Sequence, residues 1–429
     1  MSAGAPEQEA EISSALERRN GLVFLACNCL TFLIAPVTYV GLLHAAILNS
    51  LEASHAVANL PEAVYHYVTP LPMLIAWLWP SPRLLRPFLS GSLIIKGAAG
   101  AFVALLFVTA PRTWWIPALI LHPAIIGVTA GVQDMCLWEL IGRGMSEKYR
   151  SRILGWTFGI GPLFAVAGSC ATQLVLNGDF IGLVHMTPLR QPWNYAVLFG
   201  ATCVAMWLSA ALVLFIRVPT AAHTSTAVSF PAVFQGLRAY FLNSIIAVAA
   251  VGFLLTHSGI MILNNVSLYA EEALGRSPED YAGVQLALRF SCKCIAGFAL
   301  GWIATRWQAK SALLATTGLC LAGVTWALLI PGPWYLFSFG LLGAGELFYV
   351  YYLNYIVGCS APERIRENSA LTNMLTVAIG IVPWIYGALS DRDGHQASFL
   401  LAISLLGIAW ALVYWRLPAT CIRADVSRQ

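Results

Sequence analysis

Arg289 and Lys293 stand four residues apart in LALRFSCKCIAG, a run from Leu286 to Gly297 that is otherwise free of charge. On a helix they share one face, with side-chain roots about 6 Å apart. At mid-depth in a bilayer each such cation costs about 2.5–3.5 kcal/mol on insertion scales. Two like charges so placed need carboxylates of the chain, or an anionic solute, to neutralise them. The carboxylates at compatible depth are Glu346, in GLLGAGELFYVYYLNY, and Asp134, in AGVQDMCLWEL. The chemistry available is therefore anion binding by the cations, and proton exchange at an acid such as Glu346 whose surroundings change between states. A permanent salt bridge fixing one helix against another is the plainer reading of the same residues.

Neutral polar residues extend the set. Tyr349 follows Glu346 by one turn, Asn28 shares a helix face with Thr31 and Tyr39, and His257 shares one with Asn264. The candidates for substrate binding or proton coupling are then Glu346, Arg289, Lys293, Asp134, Asn28, Tyr349, His257 and Asn264. Polar side chains also serve plain helix–helix contacts in membranes, which is the competing reading for the neutral ones. Glu139 and Arg143 form an i,i+4 pair in the favoured order. With Arg306 and Lys310 they are candidates for gating, or else solvated helix ends. Lys96 reads as a structural cation whose stem snorkels, and His66 and His122 lie nearer helix ends.

The elements that must hold these groups are membrane helices. Of 429 residues, 59% are hydrophobic and only 10% charged, and the mean hydropathy is +0.73. Soluble chains carry roughly 25% charged residues, so an all-α membrane protein is the expected class. A window of about 19 residues marks twelve spans: 21–48, 58–79, 88–110, 114–141, 153–177, 193–217, 237–265, 281–305, 311–330, 334–358, 369–390 and 397–417. The expected organisation is a tail over 1–20, a six-helix bundle over 21–217, a central loop over 218–236, a second bundle over 237–418, and a tail over 419–429. With both termini cytoplasmic, the inner loops collect most of the basic residues. Only Arg112, Arg190, Arg276 and Arg392 fall outside, which is the positive-inside pattern. The polar, acidic N-terminus has no apolar core followed by a small-residue cleavage site, so no signal peptide is expected.

Two loops echo each other almost half the chain apart: Glu147-Lys148-Tyr149-Arg150 and Glu363-Arg364-Ile365-Arg366. Each precedes a span containing Gly and Pro, GIGPLFAVAG and IGIVPWIYG. Both copies fall on the same side of the membrane, so the halves are parallel repeats, with a site expected near the midplane between them. Asp134 and Glu346 then occupy nearly matching places in equivalent spans.

On these features the chain resembles a transporter of the major facilitator superfamily. That family's loop pattern G-x-L-A-D-R-x-G-R-K is echoed at Gly301, Ala304, Arg306 and Lys310, with Thr305 in place of the acid and Gln308 in place of the second glycine. The earlier copy, AWLWPSPRLLRP, keeps Arg83 and Arg86. GALSDRDG, from Gly387 to Gly394, is a frequent family ending, and the helix-5 antiporter motif survives as Gly161-Pro162. The resemblance implies twelve helices in two six-helix bundles, a cavity lined by spans 1, 4, 7 and 10, and a span 8 that borders the interface. It also implies that a monomer suffices.

The expected function is a secondary active transporter, proton-coupled and working by alternating access, for a small polar or anionic organic solute. The expected setting is the cell membrane, the inner one in a bacterium. The alternative is a transport-dead sensor or assembly partner that keeps the fold, a reading suggested by the eroded loop after span 2. The chain has no G-x-x-x-x-G-K-[ST], H-E-x-x-H or G-x-S-x-G, so neither nucleotide hydrolysis nor an intramembrane enzyme is expected. No cofactor is called for. The cysteine pairs Cys27-x-Cys29 and Cys292-x-Cys294 lack the further ligands of a zinc site. No basic run suggests nucleic acid, so the expected partners are the solute and the lipid bilayer.

Overall fold

A computed structural model describes residues 13–72, 85–217, 230–360 and 364–419. Among these, ten helical stretches are long and apolar enough to cross a bilayer. They include α5 (Leu85–Thr109), α6 (Trp115–Gly144), α7 (Glu147–Asn177) and α8 (Trp193–Val213). The helices are the only way such a chain can satisfy its backbone polar groups in lipid. The protein is thus an all-α, multi-pass membrane protein.

The first two expected spans are not among the ten. Residues 21–48 fold as α1 (Ser14–Leu33), α2 (Ala35–Thr38) and α3 (Leu42–Ser50). Pro36 starts α2, and Gly41 separates α2 from α3 with a φ of +131°. Only glycine adopts that conformation without strain. The second span is α4 (His55–Val68), which contains Pro61 and Glu62 and leads into residues beyond those described.

The second half is interrupted in the same manner. α9 (Phe230–Leu242) occupies part of the stretch read as a loop, and Asn243 caps the next helix by accepting from Ile245 and Ile246 N–H at 3.2 Å each. Span 7 then comprises α10 (Ser244–Ile260), α11 (Leu263–Leu268) and α12 (Ala270–Leu274). α13 (Ala282–Arg306) and α14 (Ala309–Leu329) are continuous. Span 10 is split into α15 (Phe337–Gly345) and α16 (Phe348–Gly358), and span 11 into α17 (Ile365–Met374) and α18 (Val382–Asp393) around a 3-10 turn. α19 (His395–Arg416) ends the second half. Irregular backbone at membrane depth is tolerated where it is buried in protein or lines a cavity. The breaks in spans 1, 7 and 10 therefore point inward.

α7 lies along α13 and α4 along α18, and these pairs join the two halves. One face of the molecule carries the first and last described turns: Asn20 Nδ2 donates to Gly144 O at 2.9 Å and to Arg217 O at 2.8 Å, and Tyr355 Oη donates to Pro418 O at 2.8 Å. The opposite, distal face carries a two-stranded hairpin, β1 (Asp179–Phe180) and β2 (Val184–His185), paired Asp179 with His185 and Phe180 with Val184. The larger aromatic core, with Phe253, Phe290, Phe339 and Tyr352 fully buried, belongs to the second half and takes in Phe32 and Leu42 from the first.

Candidate functional site

Arg289 and Lys293 project from one face of α13 toward the break in span 10. Arg289 Nε donates to Glu346 Oε2 at 2.9 Å and Nη2 to Oε1 at 2.8 Å, a two-point grip of guanidinium on carboxylate. Lys293 Nζ lies 3.3 Å from the same Oε2. Glu346 sits at the joint between α15 and α16, and its own N–H still bonds Leu342 O at 2.8 Å. Gly343 lets α13 come close, since a Cβ there would meet Arg289 O at 2.2 Å.

The first half supplies the facing wall. Tyr39, in the gap between α2 and α3, presents its ring to both cations, 5.9 Å from Arg289 Cζ and 5.7 Å from Lys293 Nζ. Its edge meets Phe290, with ring centroids 5.4 Å apart. Glu62 of α4 is buried, and its Oε2 accepts from Asn264 Nδ2 at 2.6 Å. Its charge acts on Arg289 and Glu346 across the interface. Gly41 makes room for this bond, because a Cβ there would stand 2.7 Å from Asn264 Oδ1.

An aromatic patch continues from the charges. The His66 and His257 rings meet edge to face at 5.3 Å from opposite halves. His257 also touches Phe253 and Phe348, and Tyr349 Oη donates to Asn373 Oδ1 at 2.6 Å. The side chains of Lys293 and Glu346 keep 16% and 19% of their surface accessible deep within the helices, and Asp134 is exposed. These groups are therefore not sealed inside the protein.

Of the residues singled out in the sequence, the structure brings together Arg289, Lys293, Glu346 and Asn264, with His257 and Tyr349 beside them. Asp134 makes no ion pair with a described cation. Its charge acts on Tyr39, Tyr65, Tyr349 and Lys96. Asn28 Nδ2 is spent on its own helix, donating to Phe24 O at 2.9 Å. Lys310 Nζ donates to Tyr414 O at 2.7 Å and Leu417 O at 2.8 Å, so it closes the C-terminal end of α19 within its own half. Arg306 is exposed, and the side chains of Glu139 and Arg143 lie outside those described.

Sequence reasoning omitted Glu62. It is the sole acid of the span over 58–79, the same signal that marked Glu346, but it follows Pro61 near a span end. A cavity of about 480 Å³ between α4, α5 and α6 is lined by apolar side chains such as Val68, Phe88 and Val132 and holds none of the charged groups.

The distal end of the interface is closed. Gln173 of α7 donates to Asp280 O at 2.6 Å and accepts from Gly283 N at 2.9 Å. Asn59 Nδ2 donates to Asn265 Oδ1 at 2.7 Å. Asp391 accepts from His55 N at 2.8 Å and Ala56 N at 2.9 Å, while the His55 and His395 rings meet at a tilt of 59° with centroids 4.6 Å apart.

No family model matches the chain, and no curated protein matches it. Solved structures do. A point mutant of the nucleoside transporter NupG superposes with a TM-score of 0.64 at 12% identity, over 93% of this chain and 98% of that one. The xylose transporter XylE from E. coli, in a partially occluded inward-open conformation, gives 0.65 at 14% identity over 94% and 98%. FucP, a major facilitator superfamily transporter in the outward conformation, gives 0.60 at 15% identity over 93% and 100%. Likeness at such identities speaks for the fold.

Proposed function

We propose that this chain, which has the major facilitator superfamily fold, is a secondary active transporter for a small organic solute that bears a carboxylate or comparable anionic group. The observation that carries this is the placement of Arg289 and Lys293 on a single carboxylate, Glu346, at a helix break that faces the other half. Three charges from one half leave one positive charge over, and they meet the ring of Tyr39 from the other. A bundle built only for rigidity needs one cation for one acid.

In this reading Arg289 and Glu346 form the fixed base of the site, and Lys293 offers its remaining donors to the solute. Tyr39 and Tyr349 flank the solute, and His257 and Asn264 complete the polar wall. The two six-helix halves rock about this site, and the charge asymmetry of the loops puts the side of the first and last described turns in the cytoplasm. The bonded distal face is then the outward gate, shut in this conformation. The relatives named for xylose and for nucleosides suggest that the aromatic patch also suits the ring or hydroxyl-bearing part of a solute.

The test is flux. Protein reconstituted in liposomes is offered labelled lactate, gluconate and benzoate, with xylose and uridine as uncharged counterparts. Saturable uptake of at least one carboxylate, lost in Arg289→Gln, is the expected result. Saturable uptake confined to the uncharged solutes, or none for any of the five, overturns the proposal.

A further inference from the structure

The site just proposed holds two carboxylates, and they are not equivalent. Glu346 takes three contacts from two cations. Glu62 keeps only 8% of its surface accessible, takes one hydrogen bond from a neutral amide, and has no described cation within 4 Å. A buried charge is costly unless it is paired, so Glu346 gains most from being ionised and Glu62 least. We propose that Glu62 is the proton-binding residue of this site, and that its protonation lets the carboxylate of an organic monoanion settle on Lys293 and Arg289, so that proton and anion are taken up together. This rests on the transporter reading above and adds the coupling residue and the charge of the solute.

Charge balance supplies the argument. Arg289, Lys293 and Glu346 together carry one net positive charge, and ionised Glu62, whose field reaches Arg289, cancels it. A solute carboxylate entering then meets a neutral site with two carboxylates already present. Once Glu62 holds a proton the site has one positive charge to spare. Lys293 makes only one ion contact, at 3.3 Å, and has donors left to offer. Each binding event therefore favours the other, and by reciprocity the solute must also promote protonation.

Other titratable groups stand near α4. Tyr65 of the same helix meets the ring of His66 edge to face at 5.3 Å. From α6 and α3, His122 and His44 bond one another at 3.1 Å, and each keeps a second, buried ring nitrogen without a described partner, so the pair is a rival proton acceptor. Asp134 of α6 also makes no ion pair with a described cation, but it is exposed where Glu62 is buried and no described hydrogen bond ties it to the other half. On α18, Tyr386 donates to Ser258 O at 3.0 Å, and Asp391 is held by two backbone N–H groups at the distal end. His66 and His257 stand beside the site on aromatic contacts and are further rival proton acceptors. Glu62 alone bonds across the interface from a position facing Arg289, so its protonation also bears on the contact between the halves.

Binding of lactate, gluconate and benzoate to the purified full-length protein, followed by calorimetry from pH 5.5 to 9.5, tests this without any need for flux. For whichever carboxylate binds, affinity should be flat while Glu62 of the empty site holds its proton and fall by about tenfold per pH unit once pH passes its titration, the slope of one linked proton. In Glu62→Gln, which keeps an oxygen for Asn264, the affinity should stay high and flat. Infrared difference spectra should show a carboxylic-acid band on ligand binding to the wild type that is missing in Glu62→Gln and retained, shifted, in Glu62→Asp. A persisting pH slope in Glu62→Gln would assign the proton to another group, among them His66, His257, Asp134 and the His44–His122 pair, and overturn the proposal, as would a wild-type band that does not change at the alkaline end of the range. Failure of all three carboxylates to bind overturns it too, whereas pH-linked binding without flux in vesicles would sink only the transporter reading.

Discussion

Asp391, at the C-terminal end of α18, seats both carboxylate oxygens on the first turn of α4, accepting from His55 N at 2.8 Å and Ala56 N at 2.9 Å. The two helices belong to different halves, so this bond joins the halves. An anion on exposed helix N–H groups is worth about 0.3–1 kcal/mol at a surface and up to about 2 when partly buried. His55 Nδ1, 3.1 Å from the same carboxylate, adds to the hold when protonated.

Removing that contact should loosen the distal gate. In Asp391→Ala, spin labels at Ile181 and Arg276, one on each half, should show a broadened and longer distance distribution than in the parent. A loss of about 1 kcal/mol shifts the closed-to-open ratio roughly fivefold. An unchanged distribution would leave the gate to Gln173 and the asparagines.

The Arg289–Glu346 pair should be strongly coupled. Breaking a buried pair from one side costs about 3–5 kcal/mol, because a charge is left without compensation. Glu346→Gln, which strands two cations, should therefore melt lower than Arg289→Gln, which strands none so long as Lys293 remains. The double variant should recover much of the loss. Additive losses in the melting temperatures would mean that the two groups do not depend on each other.

Gly41→Ala should disturb the site from outside it. The residue holds a φ of +131°, and the new methyl would press on Asn264 Oδ1. Strain of this kind costs on the order of 1–3 kcal/mol. The expected outcome is a lower melting temperature together with weaker carboxylate binding, since Asn264 is the partner of Glu62. Normal binding in a destabilised protein would separate the two effects.

Lys310→Met offers a contrast. Its ammonium closes the last carbonyls of α19, so its loss should cost about 0.5–2 kcal/mol of stability. Because both partners lie in one half, labels across the distal interface should report no change. A shift there would restore Lys310 to the gating role its loop position suggests.

Hydropathy made the spans readable, and lone charges in apolar runs made Arg289, Lys293 and Glu346 readable with them. Neither signal reports where a helix is interrupted. GLLGAGELFYVYY carries Gly343 and Gly345 just before the break, and glycine weakens a helix, but these glycines also serve close packing on α13 and α14, so their presence alone does not place the break at Glu346. Glu62 escaped notice because its span is short, proline-bearing and weakly apolar. The distal gate was invisible for another reason: it is built from backbone N–H groups and scattered amides such as Gln173 and Asn59, whose partners lie far off in the chain. Asp391 was noticed only as part of the recurring GALSDRDG. Its docking on α4 depends on how the halves meet, which no local pattern encodes.

The split between α15 and α16 has a mechanical side. Glu346 stands at the joint, with Tyr349 and its bond to Asn373 on the segment that follows. In the transport proposed above, that joint is where a guest drawn to Lys293 would pass strain from the anchored pair into the segment beyond. Charge rearrangement at a few atoms can in this way be geared into the tilt of a whole bundle.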